Sequence, residues 1–493
     1  MKFPLKPKPG QLDFAYELLD YFYSPDGALV IEAYSGVGKT IASLWALRCA
    51  GRKGIVGVRT YEEAGNFYFE AKRLGVKLAV LLSKKSFCTN PSVAPLPPDL
   101  FYQACLSAAS AGVCGSPKLE KPVDAPDFHS YVEELRKGEG CPFVKTLKFA
   151  VSSDAVVVTY PYVFKHTSKL QDLFNRFNTI IYDEAHNLVH ETLEASAIYP
   201  SELKKLAQLY SSNLLRVLVK HTSGKKQPRK LVEDAAWELA EILGCSVLVR
   251  RDCVLVYREP SPLLKEASVF MSGFIPDSIS DLISSFVGKV KRREVGAPDS
   301  IKVKTAVVED IDSKYENREE NAPLYRKLVE AFSQLPGRKA VFYASKKLMR
   351  MVGLPENAIK PTRVFRPPSS EDYLIADVLG GRLSEGSNVP FDAVLIVGFP
   401  YPEIDPALRF VLNSIREKYG DEFAWKIYED TAFCKVVQAI GRLTRTKGHC
   451  ILADSRGLKY RYPSWVAVEK TSYSAVLDAL ERVQKNTFLR VQS

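Results

Sequence analysis

The chain has 493 residues, of which 46% are apolar and 25% are charged; this is the composition of folded globular domains and excludes a largely disordered chain. Basic residues outnumber acidic ones by 68 to 57, and the net charge of +11 permits a polyanionic partner such as nucleic acid without requiring one. No apolar run approaches the roughly 18 residues that cross a bilayer. The start of the chain alternates Lys and Pro, which predicts no secretory signal, so we expect a cytoplasmic protein without a membrane partner.

Short, apolar, β-branched segments recur along the chain and predict buried strands. Helical patterns such as 41–50 and 62–74 lie between several of them, which is typical of parallel sheets covered by helices on both faces. The segments form two groups separated by more than 150 residues, so we expect two α/β domains. The predicted strands are Ala28–Ile31, Lys77–Leu82, Ala155–Thr159, Thr179–Tyr182, Ala340–Tyr343, Ala393–Val397 and Cys450–Ala453.

Two segments between the predicted strands have a different character. Residues 87–145 contain four of the nine cysteines and a Pro-rich stretch at 91–98, with little alternation of apolar and polar residues. Residues 190–262 have a mostly helical pattern, interrupted by a basic break at 221–229. We therefore expect the first α/β domain to carry two insertions.

The segment Ala33–Thr40 directly follows a predicted strand and precedes a predicted helix. In such a loop, glycines let backbone N–H groups surround phosphates, a lysine reaches the β- and γ-phosphates, and a threonine hydroxyl binds Mg²⁺. Ala33 stands where the strict pattern has Gly, so a glycine-containing turn without a ligand is the alternative. The predicted phosphate-binding residues are Ser35, Gly36, Val37, Gly38, Lys39 and Thr40.

Asp183-Glu184-Ala185-His186 ends a predicted strand about 140 residues after this loop. An Asp at the tip of a parallel strand can hold Mg²⁺, and the adjacent Glu can orient and deprotonate the attacking water. Alone, the pair could be a surface acidic pair. Placed after a phosphate loop, it predicts ATP hydrolysis.

The same region suggests a rival. His186 and His190 are four residues apart on a predicted helix and are followed by Glu191, as in a zinc protease. That motif requires a Glu directly after the first His, and this chain has Asn187. The protease is therefore the weaker interpretation.

The third motif is Gln438–Arg445, in which Arg442 and Arg445 are three residues apart. Two such arginines share one helical face, so both can reach one γ-phosphate. Arginines that stabilise the developing phosphoryl charge raise hydrolysis rates by orders of magnitude. The alternative is a solvated basic face, which we would favour without the other two motifs.

In this order, the three motifs resemble those of superfamily 2 helicases, and the rest of the chain resembles the XPD/DinG group of iron–sulfur helicases. The resemblance implies that Gln11 recognises adenine, that His186 and Gln438 sense the γ-phosphate, and that Glu385 and Gly386 lie at the nucleotide. Further matching segments are Pro9–Gln11, Val58–Thr60, Leu82–Cys88, Thr159–Tyr162, Met271–Gly273, Phe342–Ser345, Gly381–Gly386, Gly398–Pro402 and Asp454–Arg456.

The resemblance also implies an architecture: an α/β fold of two RecA-like parallel-sheet motor domains, with an inserted iron–sulfur cluster domain and a small helical arch-like insertion. The expected ranges are 1–86, 146–189 and 263–290 for the first motor domain, 87–145 for the cluster domain, 190–262 for the arch-like domain and 291–493 for the second motor domain. ATP would bind between the two motor domains, where Lys39, Asp183, Glu184, Arg442 and Arg445 would be catalytic.

In the XPD/DinG group, four cysteines hold a [4Fe–4S] cluster, and the matching positions are Cys88, Cys105, Cys114 and Cys141. Their separations of 17, 9 and 27 residues include no close C-x-x-C pair, so by spacing alone zinc would fit as well. The other metal ligands implied are Thr40 and Asp183, for Mg²⁺. We expect the remaining five cysteines to be buried.

The function implied is ATP-dependent movement along single-stranded DNA, 5′→3′, with separation of forked duplexes, in DNA repair and as a monomer. Phe87, Tyr160 and Tyr162 are candidates for stacking on bases, or else core aromatics. Phe274 stands where the family usually has Thr, Lys84 replaces an expected Arg, and the arch-like segment is short. These departures keep two alternatives open: a DNA-stimulated ATPase that does not unwind, and a DNA-binding sensor based on the cluster.

Overall fold

The structure is a computed structural model that describes residues 3–96, 98–115, 125–137, 139–164, 170–361, 370–381, 383 and 389–491. The chain divides into two compact units. The first comprises residues 1–186, 262–400 and 433–493, and the second comprises residues 187–261 and 401–432. Among the described residues, no helix combines the length and the apolar composition needed to span a bilayer.

The described elements alternate between strands and helices over most of the chain. The strands are β1 (Ala28–Ala33), β2 (Gly54–Val58), β3 (Leu78–Leu81), β4 (Ala155–Thr159), β5 (Thr179–Asp183), β6 (Ser196–Ile198), β7 (Ser246–Val249), β8 (Val254–Tyr257), β9 (Ala267–Ser272), β10 (Val290–Val295), β11 (Val303–Val308), β12 (Arg338–Tyr343), β13 (Ala358–Ile359), β14 (Tyr373–Val378), β15 (Ala393–Val397), β16 (His449–Ala453) and β17 (Val466–Thr471).

The α-helices are α1 (Gln11–Tyr23), α2 (Lys39–Cys49), α3 (Tyr61–Leu74), α4 (Lys84–Phe87), α5 (Pro98–Ser110), α6 (Phe128–Arg136), α7 (Pro142–Ala150), α8 (Tyr160–Phe164), α9 (Gln171–Phe174), α10 (Leu188–Thr192), α11 (Pro200–Leu209), α12 (Asn213–Thr222), α13 (Arg229–Leu243), α14 (Asp277–Val287), α15 (Arg318–Ser333), α16 (Lys346–Val352), α17 (Pro406–Tyr419), α18 (Asp421–Gly441) and α19 (Tyr473–Val491). Short 3₁₀ helices include 185–187 and 442–445.

The first sheet has seven parallel strands in the order β10-β1-β9-β5-β2-β4-β3. Its central strands are buried along their whole length, because apolar β-branched residues on both faces pack under helices. The four strands predicted in this part of the chain are present. β2, β9 and β10 are additions, and residues 290–295 of β10 pair with β1, so the first sheet extends five residues past the expected boundary at 290.

The second sheet also has seven parallel strands, in the order β13-β14-β12-β15-β16-β11-β17. The three strands predicted here are present as β12, β15 and β16. The two-residue strand β13 is an addition, as are β11, β14 and β17, which come from segments whose apolar runs are broken by polar residues. Two parallel sheets covered by helices confirm the predicted α/β fold class.

The second unit is not purely helical. α11, α12 and α13 pack around a core that includes Leu203, Leu215 and Leu239, and a three-stranded antiparallel sheet, β6-β8-β7, completes it. α17 also belongs to this unit, where Val411 and Ile415 pack against Tyr257 of β8. Residues 401–432, which we expected in the second motor domain, therefore fold with residues 187–261, because their apolar side chains find their partners there.

Candidate functional site

The phosphate loop, residues 33–40, joins β1 to α2 at the carboxyl edge of the first sheet. Gly36 and Gly38 have φ of +92° and +95°, a left-handed conformation that favours glycine. A Cβ on Gly38 would lie 2.1 Å from Gln11 Nε2, so any larger residue here would have to displace the Gln11 side chain. Gln11 is held there because its Nε2 donates to Gly38 O (3.3 Å) and its Oε1 accepts from Lys8 N (3.0 Å).

Lys39 is the first residue of α2 and is buried, and its Nζ donates to Ala33 O at 3.4 Å. Asp183, at the end of β5 in the same sheet, is also buried. Burial, followed by the charges of Glu184 and Glu63, holds the pKa of Asp183 well above its ordinary value. Asp183 Oδ1 has no hydrogen-bond donor among the described residues, which leaves a buried acceptor suited to a cation.

Glu184 follows Asp183 with φ of +51°, a conformation that non-glycine residues rarely adopt and that strained functional sites often contain. Burial opposes ionisation of its carboxyl group. The positive charge of Lys39 and hydrogen bonds from His186 and Ser272 outweigh burial and lower the pKa of Glu184 below its ordinary value. The side chain is therefore ionised at neutral pH, while a third of it remains accessible to solvent.

A directed series of hydrogen bonds ends on Glu184. Ser272 Oγ donates to Glu184 Oε2 at 3.1 Å, and His186 Nδ1 lies 2.6 Å from the same Oγ. Since the hydroxyl has one proton, His186 Nδ1 carries the proton of that second bond. His186 Nε2 is then the acceptor for Gln438 Nε2. We call this sequence, Gln438 to His186 to Ser272 to Glu184, the hydrogen-bond series.

The hydrogen-bond series excludes the zinc-protease alternative. Both ring nitrogens of His186 have protein partners. His190 lies in α10, a different short helix from the 3₁₀ helix of His186, so the two side chains do not share the face of one helix. In the described part of the chain, no three His, Cys, Asp or Glu side chains form a group that could hold a metal ion.

The third motif contacts the phosphate loop from the strand–helix domain of the second sheet. Thr444 Oγ1 donates to Ser35 O at 2.6 Å, and a Cβ on Gly36 would meet Arg445 Cγ at 3.4 Å. Arg442 and Arg445 occupy a 3₁₀ helix, in which residues three apart are eclipsed. The two arginines therefore share one side, as the sequence predicts. Glu385 and Gly386 lie outside the described residues.

The four predicted cluster cysteines come together from separate elements. Cys88 follows α4, Cys105 lies in α5, Cys114 follows α5 and Cys141 precedes α7; all four are half-buried free thiols. Burial raises the pKa of Cys88 and Cys105, and the other cysteines of the set add to both shifts. The described residues form no group for a single metal ion, so the metal prediction is not confirmed.

The remaining cysteines and the stacking candidates differ from expectation in part. Cys253, Cys434 and Cys450 are buried as expected, whereas Cys49 and Cys245 are half-buried. Among the aromatic candidates, Phe87 and Tyr160 are 0% and 1% exposed. They are core residues, so stacking on bases is wrong for both. Tyr162 is half-buried, and its hydroxyl donates to Leu82 O at 3.2 Å.

Sequence reasoning missed three residues at this site. Ser272 connects His186 to Glu184, Glu63 adds a third carboxylate, and Lys8 donates to Gly36 O at 2.8 Å. Ser272 stands in a segment that we had matched to a family motif, which was a usable signal. Lys8 and Glu63 lie in no motif, and only the fold brings them to the loop and the acidic pair.

Comparisons with known proteins find similarity to helicases over much of the chain. A family model described as DEAD_2 matches residues 56–203, and one described as helicase C-terminal domain matches residues 327–469. ATP-dependent DNA helicase XPD of Sulfolobus acidocaldarius is 23% identical, over 85% of this chain and 90% of that protein.

Solved structures match in fold. One titled XPD helicase is 18% identical and covers 95% of this chain and 100% of its own, with a TM-score of 0.67. The structure of Xpd4 from S. tokodaii is 16% identical and covers 94% of this chain and 100% of its own, with a TM-score of 0.56. The predicted resemblance to the XPD-like helicases is confirmed, and both matching family models support an enzyme of the helicase class.

Proposed function

We propose that this XPD-like chain is an ATP-dependent DNA helicase that uses ATP hydrolysis to move along a single strand and separate duplex DNA. The observation that carries the proposal is the hydrogen-bond series. It starts at Gln438, which stands in the sequence between strands β15 and β16 of the second sheet, and it ends at Glu184, on the edge of the first sheet. The orientation of the Glu184 carboxylate thus depends on the position of the second sheet's domain.

In this proposal, residues of both sheets bind and cleave ATP. Backbone N–H groups of the phosphate loop and the Lys39 ammonium would bind the phosphates. Glu184, ionised and fixed by Ser272, would accept a hydrogen bond from the attacking water and orient it. Arg442 and Arg445 would stabilise charge on the transferred phosphoryl group.

Thr40 and Asp183 would hold Mg²⁺, which supplies positive charge that neutralises the phosphates when it binds with ATP. Asp183 Oδ1 is buried and has no hydrogen-bond partner among the described residues, which supports this assignment because a cation would supply one. Burial first, and then the negative charges of Glu184 and Glu63, raise the pKa of Asp183, and a bound cation would offset both effects.

We further propose that Cys88, Cys105, Cys114 and Cys141 hold a [4Fe–4S] cluster. Their mutual effect on the pKa of the thiols supports a shared site. In the described part of the chain, no three candidate ligands form a group for a single metal ion, so the cluster rests on the pKa effects and on the family resemblance. A four-iron cluster takes one thiolate at each iron.

In this proposal, the positive charge of the protein and the ends of the β-strands beside the nucleotide site bind DNA. The net charge of +11 favours a polyanion. Val58–Thr60, at the end of β2, stands beside β5 in the first sheet, next to the acidic pair. The family resemblance supplies 5′→3′ movement and a role in repair.

The test uses purified protein, ATP and a forked duplex with either a 5′ or a 3′ tail. We expect DNA-stimulated ATP hydrolysis and separation of the 5′-tailed fork, and affinity for single strands that falls with salt by a log–log slope of about −0.7 per phosphate contact. Lys39→Ala should abolish hydrolysis, whereas Lys470→Ala, an exposed lysine of β17, should not. Hydrolysis without strand separation would leave the DNA-stimulated ATPase as the function, and a visible chromophore without hydrolysis would favour the cluster-based sensor.

A further inference from the structure

Phe274 lies two residues after Ser272 of the hydrogen-bond series, at the position where the family resemblance predicts Thr. Its backbone N–H donates to Ser272 Oγ at 3.4 Å, the same oxygen that donates to Glu184. The preceding carbonyl, Gly273 O, accepts from Trp465 Nε1 at 2.9 Å. Trp465 stands directly before β17, so the segment that holds Glu184 also contacts the domain of the second sheet.

The Phe274 ring continues into a row of aromatic side chains. It packs edge-to-face on Phe433 of α18, with ring centroids 5.3 Å apart and an interplanar angle of 84°. Phe433 stacks on Tyr460 (4.4 Å, 9°), and Tyr460 stacks on Phe399 (5.2 Å, 4°). We call these four residues the aromatic stack.

The far end of the aromatic stack is fixed by a buried ion pair. Asp454 is 0% exposed, and its Oδ2 accepts from Arg456 Nη2 at 2.7 Å and from Ser313 Oγ at 2.8 Å. The Phe399 backbone N–H donates to Ser313 Oγ at 3.0 Å, and the Arg456 guanidinium lies 5.8 Å from the centre of the Phe399 ring. A buried, fully paired carboxylate of this kind gives the stack a rigid base.

We propose that Phe274 is a positioning residue that links the state of Glu184 to the movement of the second sheet's domain through the aromatic stack. The proposal rests on the proposed function and adds the residue that performs the coupling. Close-packed rings do not deform continuously, so a shift of the β9 end must displace Phe433. Phe433 lies on α18, the helix that also carries Gln438.

The Phe that replaces the family's Thr at position 274 therefore adds a contact, the ring packing on Phe433. Threonine has no ring and cannot form the edge-to-face contact with Phe433. A row of four rings also reaches farther than a hydroxyl, from the end of β9 to the loop after β15 that contains Phe399. Because Phe274 replaces Thr, the sequence left open whether ATP hydrolysis drives unwinding. In this proposal, packing of the Phe274 ring links hydrolysis to domain movement, where the family would use a hydroxyl group.

The experiment compares ATP hydrolysis with and without single-stranded DNA in the full-length protein. Phe274→Leu keeps an apolar side chain of similar size without the ring, and Phe274→Tyr restores the ring. Phe433→Leu and the double variant Phe274→Leu/Phe433→Leu complete a double-mutant cycle. Phe69→Leu, which removes an exposed ring on α3, is the matched control, and melting curves show that each variant is folded.

We expect the ratio of DNA-stimulated to basal hydrolysis to fall about twofold to tenfold in Phe274→Leu, the range of one aromatic pair. The double variant should lose no more than the worse single variant, and Phe274→Tyr should recover most of the stimulation. Full DNA stimulation in Phe274→Leu, or additive losses in the double variant, would overturn the inference. The proposed function would still stand if DNA stimulates ATP hydrolysis by the wild type. A wild type that does not respond to DNA would overturn both.

Discussion

The carboxyl edge of the first sheet and the cysteine segment, residues 87–145, are ordered by different forces. At the sheet edge, β5 and β9 are buried along their length, and Ser272 of β9 is joined by hydrogen bonds to Glu184 and His186, which follow β5. In the cysteine segment, the described residues form short helices and no strand, and the four thiols are only half-buried. The first region is positioned by a sheet, whereas the second has no strand among its described residues and contributes a few buried aromatic side chains, such as Phe101 and Tyr131.

The difference predicts how each region responds to substitution. At the sheet edge, an isosteric change should remove chemistry and leave the fold, because the backbone is held by strands. In the cysteine segment, a changed ligand should remove structure first, because a bound cluster would contribute folding energy that packing does not. Substitutions in the two regions should therefore differ in whether activity or structure is lost first.

Glu184→Gln should give the largest effect. The amide keeps the shape and can still accept from Ser272, but it cannot accept a proton or hold a negative charge. We expect ATP turnover to fall by about 10²–10⁴-fold, with an unchanged melting temperature. Glu233→Gln, at an exposed carboxylate of α13, is the control and should hydrolyse normally. Near-normal turnover in Glu184→Gln would remove this residue from the catalytic site.

Cys141→Ser should act on the other region. We expect loss of iron and of visible absorbance, loss of strand separation, and ATP hydrolysis that survives at least in part, since the sheet edge is untouched. Cys49→Ser, at another half-buried thiol, should keep iron and unwinding. Stoichiometric zinc in place of iron would contradict the cluster. Normal unwinding by Cys141→Ser would show that strand separation does not depend on the cluster.

Gly38→Ala tests how closely the sheet edge is packed. The added Cβ would meet Gln11 Nε2 at 2.1 Å, whereas at Gly51, with φ of +63°, it would meet nothing within 4 Å. Gly51→Ala should therefore lower the unfolding free energy only by the cost of holding alanine in the left-handed conformation, about 1–2 kcal/mol. Gly38→Ala should cost about 1–3 kcal/mol more, and it should raise the KM for ATP. Equal costs in denaturant unfolding would show that Gln11 moves aside freely.

Glu63 should give the smallest effect, a dependence of stability on pH. Burial and the Glu184 charge raise the pKa of Glu63 to about 7, although Thr60 and Arg59 N–H groups donate to it. The folded protein then binds a proton that the unfolded chain releases, so stability falls as pH rises from about 4.5 to 7 and is constant above.

Glu63→Gln should remove the part of this dependence that Glu63 contributes, while the raised pKa of Asp183 keeps its own part. The melting temperature of this variant should match that of the wild type near pH 4 and exceed it by a few degrees at pH 8. Glu62→Gln, at the exposed neighbouring carboxylate, should leave the pH profile unchanged. A wild-type melting temperature that does not fall between pH 4.5 and 7 would contradict the raised pKa.

Local sequence was enough for the features that depend on consecutive residues. The strands 28–31, 155–159 and 393–397 were predictable, because a run of apolar β-branched residues has few stable alternatives to a buried strand. The phosphate loop was predictable for a similar reason, since Gly36, Gly38 and Lys39 form one turn between a strand and a helix.

Only the tertiary structure decided which distant residues meet. Nothing near Ser272 in the sequence shows that its hydroxyl lies between His186 and Glu184, because β9 reaches β5 only through the order of the sheet. The charged strand β10 joins the first sheet, and Tyr160 is buried, for the same reason. The periodicity of apolar residues indicates which face of a helix or strand is apolar. Which other element covers that face depends on how the whole chain packs.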